Sequence, residues 1–173
     1  MSDEEDEQDR EEMPVEDIQP SGDIDMANFN RTERIATLIK RGGSIALAGS
    51  PRCTVFRVQG TPQGQRVTVM LDSGATLNFI NSSLVQQRNL PMEAHVGFQV
   101  KVAGGTFLPC THLVPQLSIT MANHTMTEDF FIVDLAEMEV ILGIQWMETL
   151  DEYTQSFKRM DFSFVADGKK VVL

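Results

Sequence analysis

Several features that place a chain in a common protein class are scarce or missing in this sequence. Its two cysteines, Cys53 and Cys110, are far apart and lack the partner spacing of a zinc site. The N-terminus is acidic and has no apolar signal segment, and no apolar run is long enough to span a bilayer. We therefore expect no disulfide scaffold, no metal site, no secretion and no membrane association. Both cysteines are interpreted as buried, reduced packing residues of an intracellular protein.

Basic residues are almost absent from the first part of the chain. Residues 1–28 contain twelve acidic residues and a single base, Arg10, so they carry the whole net charge of −11. Such a segment cannot bury enough apolar surface to offset the entropy of ordering it, and we predict that it is disordered. It acts as a solubilising tail or, alternatively, binds a basic partner. The rest of the chain is balanced in charge, so direct nucleic-acid binding is not expected.

From Cys53 onward, short apolar segments of β character alternate with turn residues. Hairpins are predicted where turn chemistry separates two such segments, most strongly at Asp167-Gly168. Residues 44–52 are predicted to form a loop. The predicted strands are Thr54–Val58, Arg66–Leu71, Phe98–Val102, Phe107–Thr111, Leu117–Met121, Thr125–Val133, Val140–Leu142, Met160–Val165 and Lys169–Leu173. The predicted helices are Arg31–Arg41, Ser82–Arg88 behind the N-cap Asn81, and Ile144–Leu150. Many short strands with brief helices indicate a mostly β barrel or sandwich.

Two aromatic positions allow a more specific prediction about the core. Trp146, the single tryptophan of the chain, is expected to pack its helix into the core. Phe130 and Phe131 are neighbours on a predicted strand, so one is expected in the core and the other half-exposed.

The triplet Asp72-Ser73-Gly74 follows a strand predicted to be apolar and buried. A carboxylate there is partly desolvated, which raises its pKa. Gly74 allows a tight turn and close approach of a partner chain, and the Ser73 hydroxyl can hydrogen-bond across such a junction. If two copies meet, their two carboxylates share one proton and can activate water against a peptide carbonyl. Taken alone the triplet is a weak signal, and a simple Asx turn after a strand is the alternative.

An ordered set of motifs around the triplet is more specific. From about Arg52 to Leu173 the chain resembles the retropepsin-like aspartic proteases of Ty3/gypsy-type retrotransposon polyproteins. The segments that carry the resemblance are Val67–Ile80, Glu128–Val133, Glu139–Met147, Phe157–Phe164 and Gly168–Leu173.

The resemblance implies an all-β, retropepsin-like acid-protease barrel with short helices that supplies one half of a dimeric active site. It implies that Asp72 is catalytic, that Ser73 bonds across the dimer, and that no cofactor is needed. It further implies an active-site loop of Ser73, Gly74, Ala75 and Thr76, a flap tip of Ala103, Gly104, Gly105 and Thr106, and an apolar support strand of Ile141, Leu142 and Gly143.

Two departures from the family pattern narrow the interpretation. No second Asp-Ser/Thr-Gly triplet occurs, which excludes a pepsin-like single-chain enzyme and leaves a homodimer. The predicted flap tip lacks the acidic or amide residue that is common in this group. The domain prediction is a disordered acidic tail at 1–28, a helix and linker at 29–51, and a protease domain at 52–173.

The expected function is that of an aspartic endopeptidase that cuts extended peptides, with sites in a retrotransposon polyprotein as natural substrates. Its expected location is the cytoplasm or a retrotransposon particle. The alternative is an inactive retropepsin-like module for dimerisation or peptide binding. A cellular protease of the ubiquitin-shuttle kind is less favoured, since no ubiquitin-like or ubiquitin-binding segment is recognisable.

Overall fold

The computed structural model describes residues 30–41, 43–45 and 56–173. The helices are α1 (Arg31–Arg41), α2 (Ser82–Gln87) and α3 (Ile144–Met147). The strands are β1 (Gly43–Ile45), β2 (Phe56–Pro62), β3 (Val67–Leu71), β4 (Phe79–Asn81), β5 (Glu93–Val102), β6 (Phe107–Met121), β7 (His124–Val133), β8 (Val140–Leu142), β9 (Tyr153–Ser156), β10 (Asp161–Ala166) and β11 (Lys169–Val172). The chain is thus mostly β, as predicted.

Six strands close into a barrel in the order β6-β2-β3-β8-β4-β7, because β7 also pairs with β6. Strand β5 extends outward from β6, and β1 pairs in parallel with the free edge of β5. A separate three-stranded sheet, β11-β10-β9, lies at the C-terminal end. Closure leaves few strand edges exposed, which is how small all-β domains avoid edge-to-edge association.

The short strand β8 lies at the centre of the barrel wall. It pairs in parallel with β3, where Leu71 lies opposite Leu142, and antiparallel with β4, where Phe79 lies opposite Ile141. All three β8 residues are buried. Two strands that come just before and just after the Asp72 loop are therefore fixed against the same three residues.

The core forms two layers because successive side chains of a strand point to opposite faces. Val69 and Leu71 of β3 enter one layer, while Met70 enters the other. Trp146 is 1% exposed and its ring lies 5.7 Å from that of Phe164, so its predicted core position is confirmed.

Most of the predicted elements are confirmed. Helix α1 has the predicted bounds, and Asn81 caps α2 by accepting a 3.0 Å hydrogen bond from the Ser83 N–H. The two predicted strands Phe107–Thr111 and Leu117–Met121 are one long strand, β6, with an irregularity between Val114 and Leu117.

Other predictions were wrong or incomplete. Residues 43–45 form a strand where a loop beginning at residue 44 was expected, and neither β4 nor β9 was predicted. Phe130 and Phe131 are both fully buried, because the two faces of β7 contact the two core layers. The predicted acidic tail, Cys53 and the first residues of the strand Thr54–Val58 lie outside the described residues.

Candidate active site

Asp72 lies at the first position after β3, in a loop that its own backbone and side chain shape. Its N–H donates a 3.0 Å hydrogen bond to Leu142 O. Its carbonyl accepts from the Ala75 N–H at 3.0 Å, and its Oδ1 accepts from the Gly74 N–H at 2.8 Å. This is the Asx-type turn that the sequence offered as the plain alternative, and it fixes the orientation of the carboxyl group.

The second oxygen of this carboxyl group has a different environment. Within the described part of the chain, Oδ2 of Asp72 is buried and has no hydrogen-bond partner. Burial raises the pKa of Asp72, and the hydrogen bond from Gly74 opposes that rise. The group is therefore easier to protonate than an exposed aspartate, as its position after an apolar strand predicted.

The remaining loop residues rest on the segment after β8. Ile144 N donates to Ala75 O at 2.8 Å, and Gln145 N donates to Thr76 O at 3.2 Å. Gly143 lies so close to this loop that an added Cβ would be 2.5 Å from Ala75 O and would also strike Leu77 O. The structure thus brings Asp72–Thr76 together with Ile141–Gly143. Ser73 is exposed, while Ala75 is fully buried.

Two buried amide side chains that the sequence interpretation did not single out lock this arrangement. Asn78 Oδ1 accepts from the Gly143 N–H at 3.1 Å, and Gln145 Oε1 accepts from the Asn78 N–H at 3.0 Å. Asn78 is 0% exposed and Gln145 is 3% exposed. Asn78 lies between Leu77 and Phe79, and Gln145 lies between Ile144 and Trp146. A polar residue inside an apolar run was the feature of the sequence from which a buried, hydrogen-bonded role could have been predicted.

The segment Ala103–Thr106 forms the exposed turn of the β5–β6 hairpin. Gly104 and Gly105 have φ values of +87° and +83°, which favour glycine. Val102 N donates to Thr106 O at 2.8 Å, and Gly105 N donates to Val102 O at 3.1 Å. Both hydrogen bonds lie within the hairpin itself.

The site chemistry that follows is that of a single, partly desolvated carboxyl group on a rigid loop. Among the described residues, no group of three His, Cys, Asp or Glu side chains is placed to hold a metal ion. In the same part of the chain, no helix has the length and apolar character needed to cross a membrane.

Comparisons with known proteins identify the family and the fold of this chain. Residues 68–162 match the family model of the PEG10/RTL1 protease domain. No curated protein sequence gives a significant match. A solved retroviral protease-like domain of Ddi1 from Leishmania major is 16% identical, covers 70% of this chain and 96% of its own, and gives a TM-score of 0.52.

A second solved structure, EIAV protease complexed with the inhibitor HBY-793, is 13% identical and gives a TM-score of 0.46. The match covers 59% of this chain and 93% of that one. At these identities, the Leishmania structure supports the fold alone.

Proposed function

Because this chain belongs to the PEG10/RTL1 protease domain family, we propose that it is an aspartic endopeptidase that acts as a homodimer. Its fold is retropepsin-like, and in the proposed dimer each chain supplies one Asp72. The natural substrate proposed is an extended segment of a retrotransposon polyprotein.

The observation that supports this proposal best is that only one of the two carboxyl oxygens of Asp72 has a hydrogen-bond partner among the described residues. Oδ1 is occupied by the Gly74 N–H at 2.8 Å, whereas Oδ2 is buried and unpaired in the described chain. A buried polar atom without a partner is costly, so such an atom usually has a further role. Since this oxygen is covered in the single chain, a second Asp72 becomes its partner only if the side chain turns outward at the dimer contact and one of the two groups carries a proton.

Two carboxyl groups at close range cannot both ionise, so they hold one proton between them. The ionised group accepts a proton from a water molecule, whose oxygen attacks the carbonyl carbon of the substrate. The protonated group donates its proton to the carbonyl oxygen. When the tetrahedral diol breaks down, the group that took the water proton gives it to the leaving amine as the C–N bond breaks. The other group takes a proton back from a diol hydroxyl, which leaves the acid product and restores the shared proton. No covalent bond to the enzyme forms.

The loop around Asp72 has the properties that such a dimer needs. Ser73 is exposed on the described chain, so its hydroxyl is available to hydrogen-bond across a dimer contact. Gly74 and Thr76 are half-buried and would form the floor with Ala75. We assign Ile141, Leu142 and Gly143 a packing role beneath this floor.

The hairpin turn Ala103–Thr106 is proposed as the flap that closes over substrate and excludes water. The protease domain is proposed to comprise residues 52–173, with the acidic segment 1–28 as a separate tail.

The decisive experiment compares wild type with Asp72→Asn on a mixed peptide library at about pH 5, the acid range in which carboxylate pairs work. We expect cleavage by wild type and a loss of at least a factor of about 100 in the variant. Asp134→Asn is a matched control, since Asp134 Oδ1 also accepts the N–H two residues onward, from Ala136 at 3.5 Å, but is exposed. Cleavage by Asp72→Asn at a rate close to that of wild type would contradict the mechanism. A dimer in sedimentation that cleaves nothing would identify an inactive dimerisation or peptide-binding module instead.

A further inference from the structure

Helix α1 lies outside the family-matched residues 68–162, yet charged contacts attach it to the barrel. Arg31 contacts Glu93 at 3.0 Å and Asp129 at 3.3 Å. Arg34 Nη2 reaches both carboxylate oxygens of Glu128, at 2.9 and 3.2 Å. Ile35 and Ile39 of the same helix pack against the core layer that contains Ala75 and Leu77. The helix is therefore docked by both polar and apolar contacts.

The carboxylates that receive α1 are buried on β7. Glu128 is 8% exposed and Asp129 is 4% exposed. Burial raises the pKa of Glu128, and the adjacent Arg34 guanidinium opposes that rise. A buried carboxylate that loses its cation becomes an uncompensated charge or takes up a proton. Either change alters what Glu128 can offer its other neighbours.

One of those neighbours leads directly to the loop at Asp72. Gln145 Nε2 donates to Glu128 Oε2 at 3.4 Å and to Asp129 O at 3.1 Å, while its Oε1 accepts from the Asn78 N–H at 3.0 Å. The Gln145 N–H also holds Thr76 O. A contiguous chain of polar contacts therefore runs from α1 through β7 and α3 to the loop. We call Arg34, Glu128, Gln145 and Asn78 the Arg34–Asn78 network.

We infer that Arg34 is a positioning residue of the proteolytic site, which orients Gln145 through Glu128 and thereby holds the backbone that follows Asp72. This inference rests on the proposed function. Helix α1 then contributes to catalysis by supplying Arg34, although the sequence predicted that α1 belongs to a helix and linker before the protease domain. Small displacements of a reacting group lower turnover strongly, so loosening Asn78 affects the chemistry at Asp72.

Strand β1 is a second N-terminal element that contacts the proposed proteolytic site. It pairs with β5 at the registers Gly43 to Val100 and Ile45 to Val102. Val102 is the residue that closes the Ala103–Thr106 turn. Helix α1 therefore contacts the core layer that contains Ala75 and Leu77, and strand β1 contacts the strand that bears the proposed flap.

The test uses the full chain with Arg34→Met and two independent readouts. In peptide cleavage, kcat is expected to fall about tenfold with KM little changed. In amide hydrogen exchange, the N–H groups of Asn78 and Gly143 are expected to exchange faster, while barrel amides such as Val69 keep their rates. The double variant Arg34→Met/Glu128→Gln is expected to restore both readouts, because a neutral amide needs no cation and its oxygen still accepts from Gln145.

Arg159→Met is the matched control, since Arg159 makes a bidentate pair with Asp161 at 2.6 and 3.2 Å on the C-terminal sheet. It is expected to change neither readout. Arg34→Lys, which keeps the charge but lacks the planar fork, provides a folded variant if Arg34→Met does not fold. It is expected to show the same changes to a smaller extent.

Unchanged exchange at Asn78 and Gly143, or exchange that rises equally throughout the chain, would overturn the inference. An unchanged kcat in an active enzyme would overturn it as well. Absence of cleavage by wild type would instead count against the proposed function, and the exchange readout would still decide whether the network holds the loop.

Discussion

The N–H of Asp72 donates a 3.0 Å hydrogen bond to the carbonyl oxygen of Leu142, directly beyond the pair in which Leu71 lies opposite Leu142. The parallel ladder between β3 and β8 thus continues into the Asp72 loop. Since β8 also pairs with β4, the loop enters and leaves along strands that share one buried partner. Changes in packing beneath β8 should therefore affect the position of the Asp72 carboxyl group.

Gly143→Ala tests how tightly this support is packed. A Cβ at this position would lie 2.5 Å from Ala75 O and 3.0 Å from Ala75 C, and would strike Leu77 O, all of them backbone atoms that cannot turn aside. We expect a loss of about 1–3 kcal/mol in the free energy of unfolding, or more. The measurement is urea unfolding followed by far-UV circular dichroism.

Gly97→Ala serves as its control, because the nearest atom to an added Cβ there is a side-chain carbon, Thr111 Cγ2 at 3.2 Å. That side chain is exposed and can shift, so the unfolding midpoint should change little. Equal midpoints for the two variants would contradict the close packing of Gly143 against the loop.

Gly105→Ala tests the proposed flap against a second turn with the same backbone requirement. Gly105 has φ of +83° and Gly168, in the β10–β11 turn, has φ of +71°, and an added Cβ would have no atom within 4 Å at either glycine. Alanine at either position should cost about 1–2 kcal/mol of backbone strain. Strain in the proposed flap raises the free energy of the conformation closed over substrate, whereas strain in the β10–β11 turn does not. Only Gly105→Ala should therefore lower kcat/KM, by about fivefold. Peptide kinetics below the melting temperatures of both variants measure this, and equal kinetic losses would remove the special role of the Ala103–Thr106 turn.

The raised pKa of Asp72 predicts how stability depends on pH. Burial is its main cause, and it favours the protonated form in the folded chain relative to the unfolded one. The folded state therefore binds more protons, and stability is lost as the pH rises through the raised pKa. In Asp72→Asn this loss is absent, so the melting temperature of wild type relative to the variant should fall between acid and neutral pH. A difference that stays constant or grows in favour of wild type would show that burial does not dominate at Asp72.

Local signals were sufficient for many elements of this fold. Asn81 before a helix and Asp167-Gly168 between two strands act through neighbours in sequence, and both features are present. The triplet Asp72-Ser73-Gly74 likewise lies directly after strand β3, as its sequence predicted. Backbone chemistry of this kind can be predicted from the sequence because every interaction partner is only a few residues away.

Features that depend on distant partners could not be predicted in the same way. Strand β1 exists because residues 43–45 meet the edge of β5, more than fifty residues later in the sequence. Phe131 is buried because β5 and β6 cover the second face of β7: its ring lies 5.3 Å from that of Phe98, and Leu113 lies opposite it on β6. Gln145 and Asn78 each stand out as a polar residue in an apolar run, but only the fold shows their partners: Gln145 Oε1 accepts from the Asn78 N–H, and Asn78 Oδ1 accepts from the Gly143 N–H. Pairings of this kind require the tertiary structure.

Cys110 provides a last prediction, because its surroundings superficially suggest a reactive thiol. Its Sγ lies 3.6 Å from His95 Nε2, a distance at which a histidine can activate a cysteine. However, Cys110 is 0% exposed, and burial raises the pKa of its thiol to about 12. The thiolate is the nucleophile, so burial should prevail over the histidine. In a Cys53→Ser background at about pH 8, near the ordinary pKa of a thiol, we expect iodoacetamide to leave the native protein unmodified by intact mass, and to label it once in denaturant. Replacing His95 by Gln should not change the native result. Rapid labelling of the native protein that His95→Gln abolishes would show that the His95–Cys110 pair is chemically active.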